Sequence, residues 1–278
     1  MKSKILVLGC NGMLGSMVSL YFKERGYDVT GFARKESKIV DTVIGDVTSL
    51  GSLTSLLLEE EYDYIINCVG KLNKACDENV CEAIFINSYL PHFLAKITRN
   101  SKTKIIHVST DCVFSGDKGD YKVYDNKDAS SIYGISKSLG ELDDEKNLTL
   151  RTSIIGPDLN KNGIGLFNWF ISQDSPVNGF TSAYWTGLTT LELAKVMESA
   201  MDRGLTGLYN VVPDSKISKY ELLMLIKKYF GGQAITPVEM KTVDKSLVNS
   251  FPAELPDYET MIKELREWVL SHKVYWEV

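Results

Sequence analysis

"GCNGMLG" (residues 9–15) follows the apolar run "KILVL" (4–8) and opens into "MLGSMVSLYFKERG" (13–26). An apolar strand, a glycine turn and an amphipathic helix stand here in immediate succession. Gly9 permits the tight turn, Gly12 lets the backbone approach a diphosphate, and Gly15 lets the helix pack close to the strand. The helix N-terminus then points free N–H groups and the positive end of its dipole at an anion. Within the helix, Leu14, Val18, Tyr21, Phe22 and Arg25 recur at helical spacing, and Gly26 supplies the C-cap. Three glycines in a strand-to-helix turn are common. What makes this turn specific is the pattern that follows it.

Short apolar runs recur at 27–33, 39–46, 62–70, 104–110 and 148–156, with helical patterns between them. Runs apolar on both faces and separated by helices predict a parallel sheet covered on both sides. The fold class expected is therefore α/β: a Rossmann-type, doubly wound parallel sheet with a small C-terminal lobe. Residues 1–156 are read as the dinucleotide-binding domain. Residues 157–278 are read as the substrate lobe, with parts near 181–212 returning to the sheet. In that half, helices are expected over 163–172, 189–204, 218–230 and 257–271, with one strand at 207–212. No internal repeat or low-complexity segment interrupts the chain.

The 278 residues are 44% hydrophobic and 24% charged, with a net charge of −5. That composition suits a folded globular chain, and the lack of a basic run argues against nucleic acid as a partner. Five cysteines (Cys10, Cys68, Cys76, Cys81 and Cys112) are odd in number and lie mostly in apolar surroundings. Reduced thiols in a cytoplasmic protein are expected. No metal site is expected, because Cys76 and Cys81 lack CxxC spacing and a nearby His. The start "MKSKILVLG" leads into glycines rather than a cleavage site, and no apolar stretch approaches membrane-spanning length. Neither signal peptide nor membrane anchor is expected.

The candidate cofactor loop comprises Gly9, Asn11, Gly12, Met13, Leu14 and Gly15. The second strand ends "GFARKE", placing Arg34 and Lys35 where an NAD-binding chain would carry a carboxylate for the ribose 2′-hydroxyl. A guanidinium suits the 2′-phosphate of NADP(H) by charge and by paired donors. A solvated basic pair is the other reading, and Glu36 lies close enough to blur the register. Asp46, followed by Val47, ends the third run. Its carboxylate suits either an adenine amino group or the N-cap of the next helix.

The chemistry is carried by "STDCVFSG" (109–116) and "SIYGISKSLGE" (131–141). Tyr133 and Lys137 stand one helical turn apart and so share a face. A phenol with an ordinary pKa of about 10 is a proton donor at neutral pH, and a nearby ammonium favours its phenolate. A Ser or Thr hydroxyl at the end of the adjoining strand, from Ser109–Thr110, can hydrogen-bond the same oxygen. Beside a nicotinamide, this set suits carbonyl reduction. His107, inside the same apolar run, reads as a packed core histidine. "NWF" (168–170) and "SAYWTG" (182–187) place Asn168, Trp169 and Trp185 in the small lobe, as sugar or base contacts or as core aromatics.

Together these motifs resemble the extended short-chain dehydrogenase/reductase family, and within it the dTDP-4-dehydrorhamnose reductase branch. The resemblance rests on "GCNGMLG" (9–15), "NCVG" (67–70), "INSYLPHFLA" (86–95), "HVSTDCVFSG" (107–116), "YGISKSLGE" (133–141) and "LRTSIIG" (150–156). It implies an NADP(H)-dependent reductase of the C4 ketone of a nucleotide-linked 4-keto-6-deoxysugar, working in polysaccharide biosynthesis. By position it implies Thr110, Tyr133 and Lys137 as the catalytic set, with Lys137 also a ribose ligand. It adds Cys68, Val69, Gly70, Asn87, Ser109 and Ile155 to the cofactor site, and Asp111, Cys112 and Phe114 to the substrate site. The partner expected is the nucleotide sugar, with a homodimer left open and no membrane. Cys112 stands where related 4,6-dehydratases carry a Glu, which argues against dehydration. Ile154 and Val123 replace an aromatic and an acidic residue of the rhamnose branch, which keeps UDP-linked N-acetylated sugars open as substrates. An NADP-binding regulatory subunit without turnover and an epimerase of the same superfamily are the alternatives.

Overall fold

The structure, a computed structural model, describes residues 2–160, 163, 165–240 and 243–276. Six strands come first: β1 (Lys4–Leu8), β2 (Asp28–Ala33), β3 (Thr42–Ile44), β4 (Tyr64–Asn67), β5 (Lys104–Ser109) and β6 (Leu148–Arg151). Helices α1 (Met13–Glu24), α2 (Leu50–Glu59), α3 (Asn73–Glu78), α4 (Val80–Ile84), α5 (Leu90–Ile97) and α6 (Ile132–Leu139) connect them, with a π-helical turn at Phe85–Tyr89 between α4 and α5. Then follow β7 (Ser153–Ile155), α7 (Leu166–Ile171), β8 (Val177–Phe180), β9 (Ala183–Trp185), β10 (Gly187–Thr189), α8 (Thr190–Asp202) and β11 (Gly207–Asn210). The chain ends with β12 (Ile217–Ser218), α9 (Lys219–Phe230), β13 (Ile235–Val238), β14 (Val243–Asp244) and α10 (Tyr258–Ser271).

The main sheet has the order β3-β2-β1-β4-β5-β6-β11, and every pairing in it is parallel. Chain order reverses between β1 and β4, and that switch opens a crevice at the carboxyl ends of the strands. Ile5 to Leu8 have no exposed surface, as a strand covered on both faces requires. One hydrophobic cluster joins β1, α1, α8 and α10 on one face. A second packs β1, β2 and β4 against α2 and α5 on the other.

The run at 148–156 is not one strand. It divides at Thr152 into β6, which stays in the main sheet, and β7, which pairs in parallel with β10. The expected helix at 163–172 is observed as Leu166–Ile171, and residue 164 lies outside the described residues. The small lobe also holds β8 paired with β13, and β9 between β12 and β14. These strands have two to four residues each, too few for alternation to announce them. Its helices carry legible starts: Ser218 and Glu221 form a capping box on α9, and Asp257 caps α10. Among the described residues no helix is long and apolar enough to cross a membrane.

Candidate active site

The glycine turn has the geometry its residues imply. Gly9 has φ +76°, in the left-handed region that favours glycine. A Cβ at Gly15 would overlap the Gly9 carbonyl oxygen, so α1 sits against β1 only because no side chain intervenes. A Cβ at Gly12 would meet only that same oxygen, at 3.5 Å, which leaves the outer face of the turn open to a ligand. No side chain caps α1 and its first turn carries no acid. The Met13, Leu14 and Gly15 N–H groups therefore have no intrahelical acceptor, as an incoming diphosphate needs. Asn11 braces the loop by donating to the Lys35 carbonyl at 2.9 Å and the Glu36 carbonyl at 3.2 Å. Gly15→Ala is expected to destabilise the fold by about 1–3 kcal/mol, through backbone displacement, and to weaken dinucleotide binding as well. Denaturant titration and cofactor titration on the same variant check both effects.

At the far side of the crevice, β5 ends in Ser109 and the turn Thr110–Cys112, against which α6 packs. A Cβ at Gly134 would overlap the Cys112 carbonyl oxygen, so the glycine after Tyr133 permits the close approach. Tyr133 is partly buried, and burial pushes its phenol well above the ordinary range, with Cys112 and Asp111 adding to the rise. The neighbouring Thr110 hydroxyl pulls the other way. The Thr110 hydroxyl also lies 3.0 Å from the Asp111 carboxylate and accepts the Cys112 N–H at 3.2 Å. Burial likewise raises the Cys112 thiol, to about 11.

Lys137 is buried, and its ammonium is pushed down to about 8 by loss of solvent, against the opposing pull of Glu141 and Cys68. Its Nζ donates to the Val108 carbonyl at 2.6 Å and lies 3.3 Å from Nε2 of His107. The sequence suggests a lysine that lowers the tyrosine pKa. In the structure the largest influence on Tyr133 is burial, which raises its phenol. His107 is buried as expected, but it touches the lysine as well as the core.

Other candidates divide between the crevice and the interior. Cys68, Val69 and Gly70 leave β4 beside the glycine turn; a Cβ on Gly9 would sit 3.0 Å from the Val69 side chain. Asn87 is fully buried in the π-helical turn. It bonds the Lys71 carbonyl and N–H and the Ser136 hydroxyl, bracing α6 against that loop. Arg34 is exposed at the end of β2, where its charge helps hold the Asp46 carboxyl below the usual range, after the bonds from Thr48. Asp46 accepts the Thr48 N–H at 2.9 Å and hydroxyl at 2.8 Å within its own turn, and the N-cap of α2 is Ser49, so Asp46 is not the helix cap that the sequence offered as one reading. Val47 and Ile155 are buried.

Among the substrate candidates, Phe114 and Trp185 are turned inward. Phe114 stacks on Tyr121 with centroids 4.2 Å apart and lies beneath the Arg151 guanidinium, with no surface left for a ligand. Trp185 packs on Tyr258, because alternation along β9 sends Tyr184 outward instead. Trp169, by contrast, is exposed. Asn168 ties α7 to the preceding loop by accepting the Asp158 N–H at 2.9 Å.

Sequence reasoning missed one buried network. The Glu141 carboxylate accepts two hydrogen bonds at 2.7 Å from Arg151 and one at 2.6 Å from Ser109. Arg151 continues to the Val123 carbonyl and to Asn210 in β11. Glu141 stands one turn beyond Lys137, and Arg151 opens "RTSIIG"; a charged residue at the end of an apolar run was the available signal.

The sequence profile of the RmlD substrate binding domain family matches residues 3–273. A probable low-salt glycan biosynthesis reductase of Haloferax volcanii is 29% identical over 245 residues, covering 82% of this chain and 80% of that one. A dTDP-4-dehydrorhamnose reductase of Mycobacterium tuberculosis is 26% identical over 144 residues, 50% of this chain and 44% of that protein. Among solved structures, a hypothetical dTDP-4-dehydrorhamnose reductase from Sulfolobus tokodaii superimposes with a TM-score of 0.77 at 25% identity, covering 92% of this chain and 98% of that one. A dTDP-4-dehydrorhamnose reductase from Bacillus anthracis, solved in complex with NADP, gives a TM-score of 0.80 at 20% identity over 95% and 99% of the two chains, a likeness of fold.

Proposed function

The chain belongs to the family of the RmlD substrate binding domain, and from that membership we propose that it is an NADPH-dependent reductase of the C4 ketone of a nucleotide-linked 4-keto-6-deoxysugar. The observation that carries this reading is that α6 brings Tyr133 to Thr110 and Lys137 to the Val108 carbonyl at the end of β5, in a chain whose glycine turn leads into an uncapped helix. Bound NADPH supplies hydride. Tyr133, a phenol and so protonated at neutral pH, gives its proton to the ketone oxygen. The Thr110 hydroxyl steadies the phenolic oxygen, and Lys137 offers the ribose and the nascent phenolate a positive charge. The small lobe, the part of residues 157–278 that does not return to the main sheet, holds the nucleotide sugar. Cys112 lacks the acid–base capacity that dehydration requires, which favours reduction.

Incubating the protein with NADPH and a panel of dTDP- and UDP-linked 4-keto-6-deoxysugars tests this directly. NADPH oxidation matched by formation of a 4-hydroxy sugar supports the reading, and no turnover on any member defeats it. Ile154 and Val123 remove a stacking surface and a carboxylate, so a UDP-linked N-acetylated sugar is expected to serve at least as well as dTDP-4-dehydrorhamnose. Side-by-side kcat/KM values decide between them.

Cofactor choice rests on Arg34. Its exposed guanidinium is free to pair with a 2′-phosphate, while solvent and salt limit the gain. A preference for NADPH over NADH of about tenfold to a few hundredfold is expected, shrinking as ionic strength rises. Arg34→Asp inverts it, because a carboxylate repels the phosphate and accepts from both ribose hydroxyls. Equal use of the two cofactors at low salt would return Arg34 to the status of a solvated surface residue.

A further inference from the structure

His107 lies wholly inside β5, and its two ring nitrogens face different partners. Nδ1 is 3.1 Å from Nδ2 of Asn67 on the neighbouring β4, and Nε2 is 3.3 Å from Nζ of Lys137. The other end of Asn67 sets its orientation, since its Oδ1 accepts the Val69 N–H at 3.2 Å. The amide nitrogen is thus what faces the ring, and an amide nitrogen only donates. Nδ1 must accept, so a neutral imidazole carries its proton on Nε2. Burial and the charge of Lys137 both keep the ring neutral.

That places an N–H on Nε2 facing the lysine. An ammonium has three N–H groups and no lone pair, whereas a neutral amine has a lone pair to offer. The His107–Lys137 contact is therefore a hydrogen bond only with the amine. The Val108 carbonyl takes a lysine N–H in either state.

We infer that Asn67 and His107 form a positioning device for Lys137: Asn67 fixes the ring tautomer, and His107 Nε2 donates to the amine form of the lysine, setting the pH at which that lysine carries charge. Cys68 just after β4 and Glu141 beyond the end of α6 both favour the ammonium, Tyr133 stands one turn earlier on α6, and the exposed His92 of α5 also disfavours charge on the ring. Against those carboxylate and thiol neighbours, the histidine N–H acts together with burial to favour the amine. The inference rests on the reductase reading only for its kinetic consequence.

Nitrogen-15 NMR of the ring nitrogens tests it on the intact protein without substrate. The chain has three histidines, so assignment needs few variants. The expected result is that His107 is neutral near pH 7 with its proton on Nε2; a proton on Nδ1 overturns the inference. Two substitutions then present an acceptor to Lys137. His107→Gln offers a side-chain oxygen, and Asn67→Asp accepts from Nδ1–H and so moves the bare nitrogen to Nε2. Each is expected to raise the lysine ionisation, followed by NMR, by about one pH unit. The alkaline limb of turnover should move with it. A folded variant with unchanged lysine ionisation overturns the inference even if its stability falls. Because tautomer and ionisation are read without substrate, their failure is separable from a failure of the reductase reading.

Discussion

Tyr133→Phe is expected to lower turnover on the true substrate by about two to four orders of magnitude, the usual loss when a positioned general acid is removed. The substitution keeps the ring in its place on α6, so the fold and NADPH affinity should change little. Tyr133 carries its proton at neutral pH as any phenol does, so the donor is in place before hydride transfer. Single-turnover rates at saturating NADPH, beside a cofactor titration, separate chemistry from binding. Near-normal turnover would mean that the proton comes from elsewhere, and the proposed mechanism would fail.

Arg151→Met is expected to be the most destabilising single change in the network behind the site. Arg151 has no exposed surface, and Glu141 is nearly as buried. Removing the guanidinium leaves the carboxylate with Lys127, at 3.0 Å, and Ser109 as its remaining partners. Breaking a buried pair in this way costs about 3–5 kcal/mol. A drop in the denaturant midpoint measures it, and a loss below about 1 kcal/mol would place the pair among weak surface bridges. The paired change Glu141→Leu with Arg151→Met should recover much of the loss, since no lone charge then remains buried.

The same pair sets a direction for pH dependence. Burial alone would raise the Glu141 carboxyl, but Arg151, Ser109 and Lys127 together hold it below its ordinary value. Between the folded and unfolded pKa values the unfolded chain binds more protons, so stability rises with pH across that window. The contribution is fully present above the ordinary glutamate range and is lost as pH falls through the folded value. Arg151→Met should flatten this acid limb.

Much of this architecture is legible in local pattern. Glycines at 9, 12 and 15 directly after an apolar run lead to a strand, a turn and a helix, because each demand is local: a left-handed φ, an open face and a close helix contact. The strong helices at 190–202 and 219–230 carry their own caps and periodicity. The spacing of Tyr133 and Lys137 declares a shared helix face. The division of 148–156 at Thr152 could not be read in this way, since both halves are apolar and only their partners differ.

What the sequence by itself determined is therefore the alternating α/β order, the glycine turn and the identity of the tyrosine–lysine pair. Only the tertiary structure decided what those groups face. Parallel register sets Asn67 opposite His107, residues forty apart in the chain, and α6 then brings Lys137 to the same ring. Sheet closure by β11 sets Asn210 against Arg151, while strand alternation turns Trp185 into the core. The physical reason is common to these cases. Periodicity reports which side of an element is apolar, whereas the partner across a sheet or crevice follows from strand order and register, which residues distant in sequence settle together.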